Sequence, residues 1–466
     1  MAKTSESYLC TACQNTVLQW VGRCPQCGEW NTLAISRRAA VGRPSASDVG
    51  PRAVALRDVD SRTARPVPTG IGELDRVLSG GFVAGSAPLV FGPPGGGKST
   101  LLFQVLASVA ATGVDVILAS AEESLAQVSV RAHRLGPVPE HLLALEGHDV
   151  GAIEDAIAHN RPALAVVDSI QSISDPDLPQ VAGSLAQVKA CVERLTRLAK
   201  SSGVPIVLVG HVTKDGELAG PRTIEHLVDT VVSFDGDRHH ALRILTAVKH
   251  RFGPAGEVGI FEMRDDGLRA TPDPGPLLLG DRMSGVPGSV VVPVLQGRRP
   301  LLVEVQALLG PGAPGTRPRA VGIDPARVAL LMAVLGCRAG VVIGGAEVFV
   351  AAVGGINITE PAGDLAVTLA IASAYLGRTI PADVVVFGEL GLAGEIRTVP
   401  GADRRLAEAQ RAGFTCAVVP ESTPKDAVPP GMAVCRVRTV GQAIDVALTD
   451  TEAGTMPAWL TVAASR

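Results

Sequence analysis

The sequence predicts an α/β protein with a mostly parallel sheet at its centre. Between residues 66 and 271, short apolar runs alternate with helical patterns, which implies parallel strands joined by crossover helices. A glycine-rich loop lies between one of these strands and the next helix, and two Cys-x2-Cys pairs lie near the N-terminus. These three observations indicate a nucleotide-binding α/β domain that is preceded by a small metal-binding unit.

Length and composition narrow the class of protein. The chain has 466 residues, of which 46% are hydrophobic and 19% are charged, so it can build two or three domains with buried cores. A net charge of -4 excludes a uniformly basic nucleic-acid coat but allows a local basic channel, and 3% aromatic residues disfavour extensive base stacking. The sequence shows neither a signal peptide nor a membrane-spanning stretch, so we expect a cytoplasmic protein without a membrane partner.

Apolar runs and helical spacing locate the main elements. The predicted strands of the sheet are 87–91, 114–119, 164–167, 206–209 and 230–234. A helix is predicted at 100–111. The C-terminal part begins with strand-like alternation at 289–295 and 300–307, and helical patterns follow around 325–336 and 364–375.

The N-terminal cysteines form two pairs, Cys10-x2-Cys13 and Cys24-x2-Cys27, separated by ten residues. Four thiolates with this spacing can converge on one Zn²⁺, and the metal then replaces the core that about 25 residues cannot build. A redox-active CxxC would need a strand–helix context that is missing here, and disulfides do not suit a reducing compartment. The spacing therefore predicts a structural zinc site, because four Cys ligands leave no open catalytic position.

A phosphate-binding loop follows the predicted strand 87–91. The loop consists of Gly92, Pro93, Pro94, Gly95, Gly96, Gly97, Lys98 and Ser99, which fit the pattern GxxxxGK[ST]. Its backbone amides can surround a β-phosphate at the helix N-terminus, where Thr100 also lies. We expect Lys98 to neutralise the β- and γ-phosphate oxygens of ATP and Ser99 to ligate Mg²⁺.

Polar residues at the ends of neighbouring strands complete the predicted ATP site. Asp168 is expected to hold Mg²⁺ through water, although an Asp at this position can also cap a helix. Glu122 and Glu123 follow the strand 114–119, where a carboxylate can polarise the attacking water or simply begin a solvated helix; Glu122 is the stronger candidate. His211 and Thr213 can sense the γ-phosphate or serve as hydrogen-bonded residues at a strand end.

Several ordered motifs resemble one family. The run PTGIGELDRVLSGGFVAGS at 68–86, the phosphate loop, AEES, VVDSIQS, GHVTKDG and EHLVD are similar to the RadA (Sms) family of bacterial DNA repair proteins. The cysteine unit resembles that family's zinc finger. Residues 249–253 resemble its KNRFG signature, with His250 in place of Asn. The resemblance covers nearly the whole chain except residues 33–65 and the C-terminal tail.

The resemblance implies a RecA-like ATPase that forms hexameric rings on single-stranded DNA and promotes branch migration of recombination intermediates with RecA. By analogy with related ring helicases, Lys249 and Arg251 act on the nucleotide of the neighbouring subunit; a basic strand end in contact with solvent or DNA phosphate is the alternative. DNA contacts are expected on the loops 171–184 and 214–222, where Lys214 and Arg222 are the phosphate-contact candidates.

The C-terminal region resembles the proteolytic domain of Lon proteases at 358–374 and 384–414. Those enzymes use a Ser–Lys dyad, but Ala362 occupies the serine position and Arg405 the lysine position. Alanine has no nucleophile and arginine stays protonated, so we expect the fold without the proteolysis. Arginines that could form a basic face here, although a solvated surface is the ordinary explanation for each, are Arg282, Arg298, Arg299, Arg317, Arg319 and Arg327.

The predicted fold class is therefore α/β, with an N-terminal zinc ribbon, a RecA-like P-loop ATPase and a C-terminal α/β Lon-protease-like domain. The expected boundaries are a zinc finger at 1–32, a flexible basic linker at 33–65, the ATPase domain at 66–271, a joint at 272–285, the inactive protease-like domain at 286–450 and a tail at 451–466. We expect a DNA-stimulated ATPase that translocates on single-stranded DNA in recombinational repair. The alternatives are a regulatory RecA-like ATPase that acts on protein partners and, disfavoured by Ala362, an ATP-dependent protease.

Overall fold

The computed structural model describes residues 7–11, 16–17, 20–30, 32–36, 55–58, 65–211, 224–236, 242–312 and 317–448. The chain divides into two compact units, Met1–Ser61 and Arg62–Arg466. Among the described residues, every helix is too short or too polar to cross a membrane.

The N-terminal unit contains a small antiparallel sheet in the order β2–β1–β3. Its strands are β1 (Ser7–Cys10), β2 (Thr16–Val17) and β3 (Leu33–Ser36). Because β3 pairs with β1 along its whole length, this sheet extends to Ser36, beyond the predicted end of the zinc finger at residue 32. Cys13 and most of the predicted linker lie outside the described residues.

The larger unit begins with two short paired strands, β4 (Pro66–Val67) and β5 (Phe82–Val83), with helix α1 (Gly72–Val77) between them in sequence. A nine-stranded sheet follows. Its strands are β6 (Pro88–Gly92), β7 (Val116–Ser120), β8 (Leu142–Glu146), β9 (Leu164–Asp168), β10 (Ile206–His211), β11 (Thr230–Asp235), β12 (Leu242–His250), β13 (Val258–Arg264) and β14 (Gly267–Ala270). Its helices are α2 (Lys98–Ala110), α3 (Leu125–Leu135), α4 (Val150–Asn160) and α5 (Leu185–Ser202).

The strand order in this sheet is β14–β13–β12–β11–β6–β10–β9–β7–β8. Neighbours from β11 to β8 are parallel, as predicted, and β12 to β14 extend the sheet in antiparallel fashion. All residues of β7 and β9 are buried, because helices cover both faces. One core contains side chains of α1, α2 and α3, and the other contains side chains of α4 and α5.

The C-terminal region has a seven-stranded mixed sheet in the order β17–β18–β16–β15–β19–β22–β23. The strands of this region are β15 (Ser289–Gln296), β16 (Arg299–Pro311), β17 (Arg319–Val321), β18 (Ala346–Ala352), β19 (Val384–Val386), β20 (Glu389–Leu390), β21 (Ile396–Arg397), β22 (Cys416–Pro420) and β23 (Ala433–Val437). The helices are α6 (Gly275–Leu279), α7 (Pro325–Ala339), α8 (Asp364–Leu376), α9 (Ala402–Arg411) and α10 (Val440–Ala447).

The two sheets of the larger unit share a hydrophobic core. Leu242, Val258 and Ile260 of the nine-stranded sheet belong to the same buried cluster as the residues of the C-terminal sheet. The predicted joint at 272–285 contains the short helix α6. The ATPase sheet and the C-terminal region therefore pack as one body, and the exact domain boundaries stay predictions.

Candidate active site

The phosphate loop leaves β6 and enters α2, which begins at Lys98. Two positions require glycine: a Cβ atom on Gly92 would collide with the carbonyl oxygen of Phe234, and Gly97 has a φ of 110°. Lys98 is buried, and its Nζ donates hydrogen bonds to the carbonyl oxygens of Gly92 (2.8 Å) and Pro93 (3.0 Å). Burial lowers the pKa of Lys98 to about 8, although Asp168 and Glu122 oppose the shift.

An open cleft of about 490 Å³ lies beside this loop, within the usual size range for small-ligand sites. The predicted residues that line it are Gly95, Gly97, Lys98, Ser99, Thr100, Glu123 and His211. Arg131, Arg134, Arg243 and Met263 also line it. The cleft therefore combines backbone amides at a helix N-terminus with several cationic side chains, which is the chemistry that a nucleotide polyphosphate requires.

Asp168 and Ser99 have the character expected of a Mg²⁺ site. Asp168 ends β9 and is buried, and its Oδ1 atom has no hydrogen-bond partner. Burial raises the pKa of Asp168, whereas a hydrogen bond with Ser99 lowers it. A buried carboxylate oxygen without a partner, beside a hydroxyl group, fits the oxygen ligands that Mg²⁺ prefers.

Glu122 lies in a polar cluster at the carboxyl ends of the parallel strands. Its Oε1 accepts hydrogen bonds from the hydroxyls of Ser169 and Ser172, the latter at 3.1 Å, and lies 3.4 Å from His211 Nε2. These contacts, that of His211 foremost, lower the pKa of Glu122 to about 2. Glu122, Asp168 and His211 offer ligand atoms within 4.8 Å of one another. The strand order thus brings together three residues that are 89 positions apart or less in the chain.

Glu123 faces a different partner. Its carboxylate forms a 2.7 Å ion pair with Arg131 of α3, and its backbone oxygen accepts a hydrogen bond from Ser120 Oγ. A carboxylate that is neutralised by an arginine is less available to a water molecule. Glu123 lines the cleft and Glu122 lies outside its lining, so the ranking of Glu122 ahead of Glu123 as the candidate base stays a prediction.

Sequence reasoning missed Ser169, Ser172, Arg131, Arg134 and Arg243. Ser169 and Ser172 follow Asp168 by one and four residues. Arg131 and Arg134 lie one helical turn apart in α3, so a helical projection starting at Glu123 could have suggested this pair. Arg243 lies on the antiparallel strand β12, where it is buried and donates to the carbonyl oxygen of Gly96. Nothing local in the sequence indicates that this strand reaches the phosphate loop.

Lys249 and Arg251 lie at the opposite edge of the sheet from the phosphate loop. Thr230 pairs with Pro88 at the start of β6 and with His250 at the end of β12. The loop begins at the other end of β6, about 13 Å away at 3.3 Å per residue. Neither cation therefore lies beside the phosphate loop of its own chain.

Both cations are attached to the segment that precedes β11. Lys249 Nζ donates to the carbonyl oxygens of Glu225 (2.6 Å) and Val228 (2.9 Å). Arg251 forms a 2.8 Å ion pair with the buried carboxylate of Asp229. Asp229 also accepts a hydrogen bond from the backbone nitrogen of Ala87. Lys214, Arg222 and Thr213 lie outside the described residues and precede this segment in the sequence.

His250 packs where the family signature has Asn. Its Nδ1 lies 2.9 Å from Thr230 Oγ1, and its Nε2 is buried without a hydrogen-bond partner. Burial lowers the pKa of His250. The substitution therefore adds a neutral, half-buried ring between the two cations and leaves their contacts intact.

The two positions expected to correspond to the protease dyad lie in the core of the C-terminal region. Ala362 is buried, and Arg405 is fully buried with a bidentate ion pair to Glu360 at 2.7 and 2.5 Å. Arg405 also donates to the carbonyl oxygens of Pro293 and Pro400. Its guanidinium is thus held by a carboxylate and two carbonyls, and neither a nucleophile nor a base is present at the two dyad positions.

The arginines expected to form a basic face are mostly paired with acids. Arg282 pairs with Glu304, Arg298 with Glu257, Arg299 with Glu73, Arg319 with Glu347 and Arg327 with Asp364. Each carboxylate cancels the charge that the sequence pattern had suggested. For these five side chains the contacts favour paired surface charges over a free basic face.

The N-terminal cysteines fit a zinc ion. The Sγ atoms of Cys10, Cys24 and Cys27 lie within 4.8 Å of one another, and those of Cys10 and Cys27 are 3.7 Å apart. Ligands at about 2.3 Å from a tetrahedral zinc are separated by about 3.8 Å, whereas disulfide sulfurs are about 2 Å apart. The three thiols are therefore spaced as zinc ligands. Cys13, the predicted fourth ligand, lies outside the described residues.

Comparison with known proteins accounts for all three regions. A family model described as a rubredoxin metal binding domain matches residues 8–34, one described as an AAA domain matches 51–217, and one described as subunit ChlI of Mg-chelatase matches 355–423. The chain is 46% identical over 451 residues to the DNA repair protein RadA of Mycobacterium tuberculosis, and the match covers 95% of this chain and 93% of that protein. This chain belongs to the RadA family of DNA repair proteins.

Other RadA proteins agree. The chain is 42% identical to RadA of Listeria monocytogenes and 41% identical to RadA of Bacillus subtilis; each match covers 96% of this chain, with 99% and 100% of those proteins. A solved KaiC-like protein of Pyrococcus horikoshii is 20% identical over 45% of this chain, with a TM-score of 0.39, too distant to add to the assignment. Membership of the RadA family confirms the predicted α/β class, the zinc ribbon, the ATPase domain and the DNA repair function.

Proposed function

We propose that this RadA-family protein hydrolyses ATP between adjacent copies of the chain and thereby moves along single-stranded DNA. In this proposal the copies form a hexameric ring in the cytoplasm and promote branch migration of recombination intermediates together with RecA. The observation that carries the proposal is the position of Lys249 and Arg251, at the sheet edge opposite the phosphate loop. Cations there are suited to a neighbour's nucleotide.

The residues of one chain would prepare the nucleotide. Ser99 and Asp168 would hold Mg²⁺, whose charge stabilises the transferring phosphoryl group when Mg²⁺–ATP is bound. Lys98 would exchange the carbonyl oxygens of Gly92 and Pro93 for phosphate oxygens. Glu122 would orient the attacking water and accept its proton. With its pKa at about 2, Glu122 is a weak base in the present arrangement, so it must lose part of its contact with His211, Ser169 or Ser172 to act.

The segment that links the predicted DNA loop to the sheet supports coupling between DNA and hydrolysis. The loop with Lys214 and Arg222 leads into Ile224, after which Glu225 and Val228 accept hydrogen bonds from Lys249. Asp229, the next residue, pairs with Arg251. A DNA strand that displaces this loop would therefore act on the same segment that holds both cations. In this proposal, DNA binding therefore changes the positions of Lys249 and Arg251 through this segment.

A mixing experiment tests the division of labour between copies. Lys98→Ala chains lack a working phosphate loop but keep both cations, whereas Arg251→Ala chains lack one cation but keep the loop. Each variant alone should hydrolyse ATP at least about tenfold more slowly than wild type. Their mixture should exceed the sum of the two, because an Arg251→Ala loop next to a Lys98→Ala neighbour regains a full site. A mixture that never exceeds this sum, while size measurements show mixed rings, would contradict action across the interface.

A further inference from the structure

The zinc ribbon carries an exposed aromatic surface that the ATPase mechanism does not use. Two of the three tryptophans of the chain, Trp20 and Trp30, lie on it and are 55% and 68% exposed. Large apolar rings are usually buried, and exposed ones commonly mark a binding surface. An indole offers both a flat face for stacking and a wide contact area.

The two rings flank one glycine. A Cβ atom on Gly22 would lie 3.7 Å from a ring carbon of Trp30 and 4.0 Å from a ring carbon of Trp20. Both indoles therefore lie next to the backbone of Gly22. A larger side chain at this position would fill the space between the two rings, whereas glycine leaves that space free.

Arg23 adds a cation to the same surface. Its guanidinium carbon lies 5.8 Å from the centroid of the Trp30 ring, and its Nε donates a 2.7 Å hydrogen bond to the carbonyl oxygen of Gly28. Arg23 also pairs with Trp30 through the backbone. Because Cys24 follows Arg23 and Cys27 precedes Gly28, the zinc site holds this surface in place. Trp20, Gly22, Arg23 and Trp30 are called the indole platform below.

We propose that the indole platform stacks on unpaired bases of single-stranded DNA. Aromatic side chains bind such strands without sequence preference because every base has a π-face, and arginine adds a cation–π contribution. The charge distribution favours this occupant. Residues 37–65 have seven Arg and three Asp, so a basic segment that can follow the phosphates comes directly after the ribbon. Two of the three tryptophans of the chain therefore lie next to this basic segment.

The inference rests on the proposed DNA function, and the test separates the two. The zinc-loaded full-length protein is titrated onto a fluorescently labelled oligo(dT) strand, and its Kd is measured by anisotropy at two salt concentrations. Trp20→Ala/Trp30→Ala should weaken binding about tenfold or more, since each stacked base contributes substantially. Trp20→Phe/Trp30→Phe should recover most of the loss. The slope of log Kd against log salt should stay unchanged, because no phosphate contact is removed.

An abasic strand provides a double comparison. Wild type should bind the abasic strand more weakly than oligo(dT). The double alanine variant should bind the two strands with nearly equal affinity, because it cannot stack on bases. Leu392→Ala, which truncates a 67% exposed side chain far along the chain, serves as the surface control, and equal zinc content shows that the ribbon is intact. If the double alanine variant binds oligo(dT) as tightly as wild type, the platform has another partner, such as a protein, and this inference is wrong. If wild type itself fails to bind the strand, the proposed DNA function is wrong as well.

Discussion

The ion pair between the fully buried Arg405 and the partly exposed Glu360 allows a prediction whose size follows from the structure. Glu360→Gln removes the negative charge but keeps the side-chain volume and one oxygen that can accept the hydrogen bond from the backbone nitrogen of Leu295. Arg405 is then a fully buried cation without a carboxylate partner. Its remaining contacts are the neutral amide oxygen at position 360, the carbonyl oxygens of Pro293 and Pro400, and the ring of Phe387 at 5.9 Å.

Leaving one partner of a buried ion pair uncompensated costs about 3–5 kcal/mol. For a domain of 150–250 residues this corresponds to a fall in Tm of about 6–20 °C. We therefore expect Glu360→Gln to lower the thermal midpoint of the full-length protein by that amount. Glu360→Leu combined with Arg405→Met should recover most of the loss, because an apolar pair of similar volume carries no buried charge.

The matched control is a surface pair of the same type. Arg438 lies 2.9 Å from Glu421, with 71% and 56% of the two side chains exposed. Glu421→Gln should cost less than about 1 kcal/mol, since exposed pairs are screened by water. Circular dichroism during heating measures all three variants. If Glu360→Gln unfolds within a degree of Glu421→Gln, the former dyad position is not a structural ion pair and our interpretation is refuted.

Three further predictions concern the other sites. Glu122→Gln should reduce kcat for ATP hydrolysis by about 10²–10⁴-fold with little change in KM, whereas Glu123→Gln, which frees Arg131, should reduce kcat less than tenfold. Phosphate release measures kcat for both variants, and equal losses would contradict the assignment of Glu122 as the base. Burial lowers the pKa of His250, so below about pH 6.5 the unfolded chain binds a proton that the folded chain does not, and wild type should lose up to about 1.4 kcal/mol of stability per pH unit on acidification. His250→Asn should remove this contribution, and the exposed His133→Asn serves as the control. Urea unfolding at pH 7.5 and 5.5 measures the effect, and a pH dependence that His250→Asn leaves unchanged would contradict it. Cys24→Ser should lower the zinc content well below one ion per chain in a metal assay, while basal ATP hydrolysis persists because the ATP site lies in the other compact unit. A zinc content that stays at one ion per chain would show that Cys24 is not a ligand.

Local sequence signals predicted five of the six parallel strands and missed the partly exposed edge strand β8. Each of the five predicted strands is present, and their ends differ by no more than two residues from the observed ones. Fully buried strands read as continuous apolar runs, and the phosphate loop needs its glycines at fixed spacing. Both signals are contained in a few consecutive residues. The position of Glu122, Asp168 and His211 then follows, because the carboxyl ends of parallel strands share one edge.

Contacts between distant residues were beyond such reasoning. The pairing of Glu123 with Arg131, and of Arg405 with Glu360, depends on how elements pack. The acid partners of the C-terminal arginines could not be read from the sequence for the same reason, since Glu73 and Glu304 lie far along the chain from Arg299 and Arg282. The antiparallel strands β12 to β14 were not predicted, and they carry Arg243 to the phosphate loop. Charge counts therefore say little until the partners of each charge are known.

The most direct test of a DNA motor is the steady-state rate of ATP hydrolysis with and without single-stranded DNA, at low and at high salt. Our proposal that DNA bound at residues 214–222 acts on the segment that holds Lys249 and Arg251 predicts a several-fold stimulation by DNA at low salt. The stimulation should decline as salt rises, because counterions compete for the phosphate contacts. Hydrolysis that DNA leaves unchanged at both salt concentrations would contradict this account and favour an ATPase that responds to protein partners instead.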